Sequence, residues 1–345
     1  MVGGQDELVF DGGSFVVDKN GEFIYVAPQF KEDFFTFDIE LEVTDNVSES
    51  SLSLNEKNIK IEPLLSSNNL NKTESMYSAL ELGLSDYVTK NKFEKVLVGL
   101  SGGIDSALTA TIACDALSPE NVIGVAMPSK YNPDSSLEDA KKLAKNLGIE
   151  IKEINIEDTV ENFRELLKNN TDEKLANVVD ENIQSRVRGN ILMALSNQLG
   201  AMVVSTGNKS EMAVGYATLY GDLVGGFALL KDVYKADVYN LANYRNSISD
   251  VIPKSTILKE PSAELSNDQF DSDTLPDYDT LDKIIQLYIE EDFSSEKIIK
   301  SGIDKEIVYD VLEKIDRNEY KRNQVAPGVK SVSYTHLTLP TNPEV

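Results

Sequence analysis

A glycine-rich turn between an apolar run and a helix-forming run carries the first chemistry that this sequence suggests. Residues 96–106 read VLVGLSGGIDS, and the helix-forming ALTATIACDAL follows. Two glycines allow a positive φ and a close approach of the backbone to a ligand, and the amides that open a helix bind anions. Ser101 and Ser106 add hydroxyl donors. The turn therefore predicts a phosphate site at the start of a helix.

Asp105 indicates which ligands this turn could bind together with phosphate. A carboxylate beside a bound phosphate repels it unless a cation lies between them, so we interpret Asp105 as a ligand of Mg²⁺. A second interpretation needs no ligand: Gly102 and Gly103 form a tight turn, and Asp105 is an acid favoured by the helix dipole. No G-x-x-x-x-G-K-[ST] is present and no G-x-G-x-x-G follows a strand, which disfavours a γ-phosphate-transferring ATPase and a Rossmann dehydrogenase.

Alternating helices and strands must position this turn. The predicted elements are a helix over 73–91, strands over 95–100, 121–128 and 149–156, a helix over 182–199 and a strand over 201–207. Ser135 and Glu138 predict a capping box for a further helix, which Gly148 ends. Strands separated by such helices pair in parallel through right-handed crossovers. The fold class predicted is a doubly wound parallel α/β sheet with helices on both faces and with ligands at the carboxyl ends of its strands.

The amino-terminal residues follow a different pattern. Apolar and polar positions partly alternate over residues 7–42 and predict three strands, over 7–18, 23–30 and 34–41. Three strands are too few to be stable without something to pack against. Residues 46–72 are rich in serine, asparagine and charge, which is typical of a linker.

Composition limits the partners. The chain has 345 residues, with 58 acidic and 33 basic side chains and a net charge of −25, which opposes broad binding to nucleic acid or to an anionic membrane. One cysteine excludes an internal disulfide and a thiolate zinc cluster and indicates a reducing compartment. The sequence has no apolar run of about 18 residues and no signal pattern at its amino terminus. We therefore expect a soluble, cytoplasmic protein.

The SGGIDS turn resembles the loop of the ATP pyrophosphatase superfamily, whose members split ATP between the α- and β-phosphates and adenylate a substrate. Other segments resemble the NAD⁺ synthetase family, and together they cover residues 73 to about 327. These segments are GVAMPSKY, ENIQSRVRGNILMALSN, STGNKSEMAVGYATLYGDLVGGFALLKDVYKADVYNLA, EPSAELSNDQFDSDTLPDYDTLD and RNEYKRNQ.

This resemblance implies roles for individual residues. Asp222 matches the residue associated with ammonium, and Lys235 matches a lysine near the α-phosphate of ATP. Asp105 and Glu211 match the two metal-site carboxylates. The implied ATP-binding residues are Gly99, Ser101, Gly102, Gly103, Asp105, Ser106, Met127, Thr206, Lys235 and Ser262. The implied residues for deamido-NAD⁺ are Asn182, Arg186, Glu211 and Lys321.

The reaction implied by the family has two steps. The carboxylate of deamido-NAD⁺ attacks the α-phosphorus of Mg·ATP to give an acyl adenylate, and ammonia then displaces AMP. We expect the loop over residues 127–136 to close and keep water from the intermediate. In the family the dinucleotide lies partly across a dimer interface, so the resemblance also implies a homodimer or a larger homo-oligomer.

The two ends of the chain depart from this family pattern. Residues 1–45 resemble the last part of a nitrilase-like glutaminase domain, without its nucleophilic cysteine. Cys114 is predicted to be a buried hydrophobe on the helix after the turn, so we expect the chain to use only free ammonia. Residues 328–345 form an atypical tail that resembles translated cloning sequence. This tail contains His336, the only histidine, which excludes histidine-based acid/base catalysis and a His-rich metal site.

Two alternatives stay open at this stage. Another adenylating amidator, such as a GMP synthetase, shares the turn but is disfavoured by STGNKSE and PSAEL. An inactive fragment of a glutamine-dependent enzyme would keep the motifs without working, and its exposed strands over residues 7–42 would favour aggregation.

Overall fold

The computed structural model describes residues 1–18, 20–37, 70–170, 176–267 and 269–331. The chain divides into two compact units, one of Met1–Gly3 with Phe10–Leu70 and one of Gly4–Val9 with Asn71–Val345. The predicted boundary after residue 45, most of the predicted linker, and residues 332–345 of the predicted tail lie outside the described residues. The predicted domain limits therefore stay predictions.

Four short strands form near the amino terminus, where the sequence predicted three. They are β1 (Val2–Gln5), β2 (Leu8–Asp11), β3 (Phe15–Val17) and β4 (Phe23–Val26). Strand β1 pairs with β2, and β3 pairs antiparallel with β4. The third predicted strand is wrong over residues 34–37, which are not extended into a sheet; residues 38–41 of that run are not described. The Phe35 ring instead stacks on Tyr25 of β4, with centroids 3.8 Å apart.

The second unit contains a parallel five-stranded sheet, as the sequence predicted. Its strands in spatial order are β7 (Glu150–Glu153), β6 (Val122–Ala126), β5 (Lys95–Gly99), β8 (Ala201–Ser205) and β9 (Phe227–Ala228). Its helices are α1 (Lys72–Lys90), α2 (Ile104–Leu117), α3 (Asp134–Leu147), α4 (Glu157–Lys168), α5 (Asn177–Leu199), α6 (Lys209–Val214), α7 (Lys235–Ile248), α8 (Lys254–Leu258), α9 (Tyr278–Ile285), α10 (Ser295–Lys300), α11 (Lys305–Arg317) and α12 (Glu319–Arg322). A π-helix over Gln286–Glu290 continues α9.

Helices cover both faces of the sheet because its strands are apolar on both faces. On β5, Val96 and Val98 pack into one core with α1, α2 and α7, whereas Leu97 packs into another core with α5. This alternation follows from the two-residue period of a strand, and near-continuous apolar strands are typical of buried parallel sheets. A third apolar cluster joins α6, α9 and α11 and includes Leu281 and Val308.

The order of the strands fixes where a ligand can enter. From β5 the chain moves outward through β6 to β7, and it then returns to β8 on the other side of β5. The connections after β5 and β8 therefore lead in opposite directions, which leaves a crevice at the carboxyl ends of these two strands.

Two local predictions have different outcomes. The capping box is wrong, because α3 begins at Asp134 after Pro133 and no side chain caps its first turn. The proline fixes φ at −65° and starts the helix earlier than the serine pattern indicated. The predicted end of α3 is confirmed: Gly148 takes the left-handed conformation, with φ 74°. Among the described residues, no helix is long and apolar enough to cross a membrane.

Candidate active site

A cleft of about 480 Å³ opens at the carboxyl ends of β5 and β8. Its walls come from the turn after β5, the segment after β8, one face of α5 and residues 259–265. Every residue that the sequence predicted for the site lines this cleft except Gly102 and Arg186. The ligands that these residues bind stay predictions.

The turn after β5 is held in shape by its own hydroxyl groups. The amide of Gly103 donates to Ser101 Oγ at 3.2 Å, and Ser106 Oγ donates to the carbonyl of Gly103 at 3.0 Å. Gly102 has φ +80°, and a Cβ built on it would lie 2.3 Å from the carbonyl oxygen of Ser136. The turn thus needs glycine at residue 102 for its own shape and for the close approach of α3.

A buried lysine lies between the two carboxylates that were predicted to hold a metal. Lys235 Nζ is 2.6 Å from Asp105 Oδ2 and 3.0 Å from Glu211 Oε1, and the lysine side chain is 3% exposed. Burial alone would lower the pKa of Lys235, but the two carboxylates outweigh it and raise that pKa. Burial raises the pKa of Glu211 against the lowering effect of Lys235. The site therefore holds a fixed ammonium charge beside the glycine turn.

Asn208 orders this cluster, although the sequence reasoning gave it no role. Its Nδ2 donates to Asp105 Oδ1 at 2.8 Å, and its Oδ1 accepts the amide of Glu211 at 3.0 Å. Asn208 is fully buried and is the N-cap of α6. An asparagine just before a short helix was the available signal, because asparagine is a preferred N-cap.

The two carboxylates fit a magnesium ion on the chemistry of their donors. Mg²⁺ prefers oxygen ligands and in proteins takes one or two carboxylates together with phosphates and water. Within the described ranges, no group of three or more histidine, cysteine or acidic side chains could hold a metal. Asp105 and Glu211 are two carboxylates, so they stay the predicted ligands of the ion, and phosphate and water would have to fill its other positions.

A second polar centre lies around Asp222. Its Oδ1 accepts the amide of Thr218 at 2.7 Å and the hydroxyl of Ser185 at 3.0 Å. Although this side chain faces the open cleft, desolvation by the cleft wall raises the pKa of the Asp222 carboxyl. Lys321 lines the same region and donates to the carbonyls of residues 215 and 217 at 2.7 and 2.8 Å.

One face of α5 lines the cleft. Of the two arginines on this helix, Arg188 lies on that face and Arg186 does not. Residues three or four apart share a helix face, whereas residues two apart do not. The lining residues of α5 are Val178, Glu181, Asn182, Ser185, Arg188, Gly189 and Leu192. Arg186 is exposed outside this face and donates to the carbonyl of Leu219 at 3.2 Å. Arg188 was missed, and the helical spacing from Ser185 was the signal that could have found it.

Half-buried Arg188 and Glu264 connect the loops around the cleft. Arg188 Nε donates to the carbonyl of Met127 at 3.0 Å, and burial lowers the pKa of this guanidinium to about 10. Glu264 accepts from Asn132 Nδ2 at 2.9 Å and from Ser136 Oγ at 2.8 Å. It also pairs with Lys259. The loop after β6 is thereby tied to residues 259–265.

Cys114 lies away from the cleft on α2. It is buried, and burial raises the pKa of its thiol to about 12. A thiol in this state is not a nucleophile at neutral pH.

Comparisons with known proteins agree with one another on the family. Residues 76–325 match the family model described as NAD synthase. The chain is 49% identical over 350 residues to the glutamine-dependent NAD(+) synthetase of Thermotoga maritima, covering 96% of this chain and 61% of that protein. The chain thus spans about three fifths of the length of the curated relatives it matches.

Solved structures of two synthetases superpose on this chain. A glutamine-dependent NAD⁺ synthetase from Acinetobacter baumannii, in complex with ADP, superposes with a TM-score of 0.67 at 42% identity, covering 98% of this chain and 59% of that one. An NMN synthetase from Francisella tularensis superposes with a TM-score of 0.63 at 27% identity, covering 74% of this chain and 97% of that one.

Proposed function

Because the chain belongs to the NAD synthase family, we propose that its cleft catalyses the ATP-dependent amidation of deamido-NAD⁺ to NAD⁺. The observation that carries this proposal is the contact of Lys235 with Asp105 and Glu211 beside the glycine turn. This arrangement offers a cation and two metal-ligating carboxylates next to a turn suited to phosphate.

In the first step the carboxylate of deamido-NAD⁺ attacks the α-phosphorus of ATP, and the bond to the bridging oxygen of the β-phosphate breaks. Acyl adenylate and pyrophosphate form. The amides and hydroxyls of the turn bind the departing pyrophosphate, and Lys235 Nζ stabilises the negative charge that develops on the α-phosphate. Mg²⁺ held by Asp105 and Glu211 supplies charge neutralisation of the phosphates when it is bound.

In the second step ammonia attacks the acyl carbon, the bond from that carbon to the phosphate oxygen of AMP breaks, and the nitrogen releases one proton to solvent as AMP leaves. The Asp222 carboxylate binds ammonium and accepts the proton that ammonium must lose before it can attack. The hydrogen bonds from the Thr218 amide and the Ser185 hydroxyl hold this carboxylate in the cleft, which supports the role.

We propose that free ammonia supplies the amide nitrogen in the reaction that this chain catalyses. Release of ammonia from glutamine by a nitrilase-like domain needs a reactive cysteine, and the one cysteine here is buried with a raised pKa. The name of the relatives, glutamine-dependent NAD(+) synthetase, refers to proteins of greater length.

A product assay tests the proposal. Protein with ATP, Mg²⁺, deamido-NAD⁺ and ammonium should give NAD⁺, AMP and pyrophosphate in equal amounts, and glutamine in place of ammonium should give little NAD⁺. ADP as the product would exclude the adenylation chemistry. Turnover with xanthosine monophosphate, or with nicotinate mononucleotide in preference to deamido-NAD⁺, would assign the cleft to another amidator.

We also propose a homodimer or a larger homo-oligomer. Two large apolar side chains of α4, Phe163 and Leu166, are exposed and do not line the cleft. Size-exclusion chromatography should give one defined species larger than 38.1 kDa. Elution in the void volume would favour an aggregated, inactive fragment.

A further inference from the structure

The first turn of α7, which begins with Lys235, receives its cap from other parts of the chain. Tyr234 at the N-cap position makes no capping bond with its side chain. The amide of Lys235 instead donates to Ser210 Oγ at 2.9 Å, and the amide of Ala236 lies 3.3 Å from Asp282 Oδ2. Ser210 also donates its hydroxyl hydrogen to the other oxygen of Asp282.

Asp282 therefore ties three elements together through one carboxylate. It lies on α9, Ser210 lies on α6 beside Glu211, and Ala236 follows Lys235 on α7. Asp282 is 8% exposed, so its carboxylate is held in a protein environment and not in bulk water. A carboxylate at a helix amino terminus interacts favourably with the helix dipole and with the free amides.

We propose that Asp282 is a positioning residue that fixes the backbone of Lys235 and so sets where the ammonium group meets the α-phosphate. The role rests on the proposed function, because it concerns the charge that Lys235 supplies during adenylation. Asp282 touches neither the cleft nor the Lys235 side chain, and it acts through Ser210 and the first amides of α7. A displacement of about 1 Å in a reacting group can reduce a rate by about a hundredfold.

Substitution of Asp282 by asparagine tests this role, because it keeps the shape of the side chain and removes the charge. We expect Asp282→Asn to lower kcat for NAD⁺ formation about tenfold or more while KM for ATP stays within about twofold, since the effect falls on the transition state. Asp279→Asn, an equal charge change at an exposed residue of the same helix, should leave kcat unchanged.

Stability separates positioning from a purely structural role. Burial raises the pKa of Asp282 to about 6, so its ionised form costs folding free energy above that pH. At pH 8 the relief of this cost offsets part of the loss of hydrogen bonds, so Asp282→Asn should stay fully folded at the assay temperature while kcat falls. An unchanged kcat, or a loss of kcat that only follows the loss of folded protein, would overturn the inference.

Two further measurements keep the test decisive. Ser210→Ala removes the hydroxyl between Asp282 and Lys235, and it should also lower kcat without raising KM for ATP. If Asp282→Asn does not fold, this variant tests the positioning role in its place.

Amide hydrogen exchange needs no turnover. In Asp282→Asn it should accelerate at least about tenfold at residues 235–236, while exchange in the rest of α7 stays unchanged. Unchanged exchange there would refute the role. Absence of turnover in the unmodified protein would refute the proposed function alone.

Discussion

The ammonium group of Lys235 is the residue-scale feature on which the proposed adenylation depends. Substitution by methionine keeps much of the length of the side chain and removes its charge from between Asp105 and Glu211. We expect Lys235→Met to lower kcat by at least about a hundredfold, because removing one group that stabilises transition-state charge costs about that much. The measurement is the steady-state rate of NAD⁺ formation with ammonium.

Lys72→Met is the matched control. Lys72 begins α1, is 74% exposed and pairs at 3.3 Å with Asp237 in the first turn of α7, the helix that begins with Lys235. Exposed ion pairs contribute little, so this variant should keep its kcat within about twofold. A Lys235→Met protein that binds ATP normally and keeps its rate would show that the cleft does not use this charge.

The state of Cys114 predicts slow thiol chemistry. With a pKa of about 12, only about one thiol in 10⁴ is ionised at pH 8, and burial hinders access further. We expect the native protein to react with an aromatic disulfide reagent at least about a hundredfold more slowly than glutathione does at that pH. In denaturing urea the two rates should agree. Rapid modification of the native protein would contradict the buried placement and reopen a role for this thiol.

Among the structural elements, α3 approaches the glycine turn so closely that one methyl group added at Gly102 should lower the free energy of unfolding strongly. Gly102→Ala places a Cβ against the backbone of Ser136 at a residue with positive φ, and we expect it to lower the free energy of unfolding by about 3 kcal/mol. Gly148 also has positive φ but has open space around it, so Gly148→Ala should cost about 1 kcal/mol. Urea denaturation measures both values, and equal losses would contradict the close approach.

The sequence predicted well those elements whose structure is determined by residues close together in the chain. Apolar strands between helices predicted the parallel sheet, and Gly148 predicted the end of α3, because glycine takes the left-handed conformation at little cost. The start of α3 was missed because Pro133 overrides the serine pattern. The strand predicted over residues 34–41 failed in its described part, where Phe35 stacks on Tyr25. Side-chain packing of that kind leaves no local signal.

Across the whole molecule, the sequence predicted the residues of the candidate site to which a motif assigns a role. The turn, Glu211 and Lys235 line one cleft because the parallel sheet brings the ends of distant segments together. Asn208, Glu264 and Asp282 were missed because each acts through a contact far away in sequence, such as the pairing of Asn208 with Asp105. The cap position of Asn208 could have been read from the sequence, but the partners of these side chains depend on tertiary packing, which has no period or spacing that a sequence displays.

The net charge of −25 predicts how salt affects the stability of the molecule. Repulsion among excess carboxylates disfavours the compact state, and salt screens it: the screening length falls from about 20 Å at about 0.02 M to about 5 Å at about 0.3 M. The fully buried Lys209 keeps its ion pairs with Asp232 and Glu290, at 2.8 and 2.7 Å, because buried pairs are screened much less. We therefore expect the midpoint of thermal unfolding to rise by several degrees over this range of sodium chloride. A midpoint that stays level or falls would show that attractive surface pairs outweigh the repulsion.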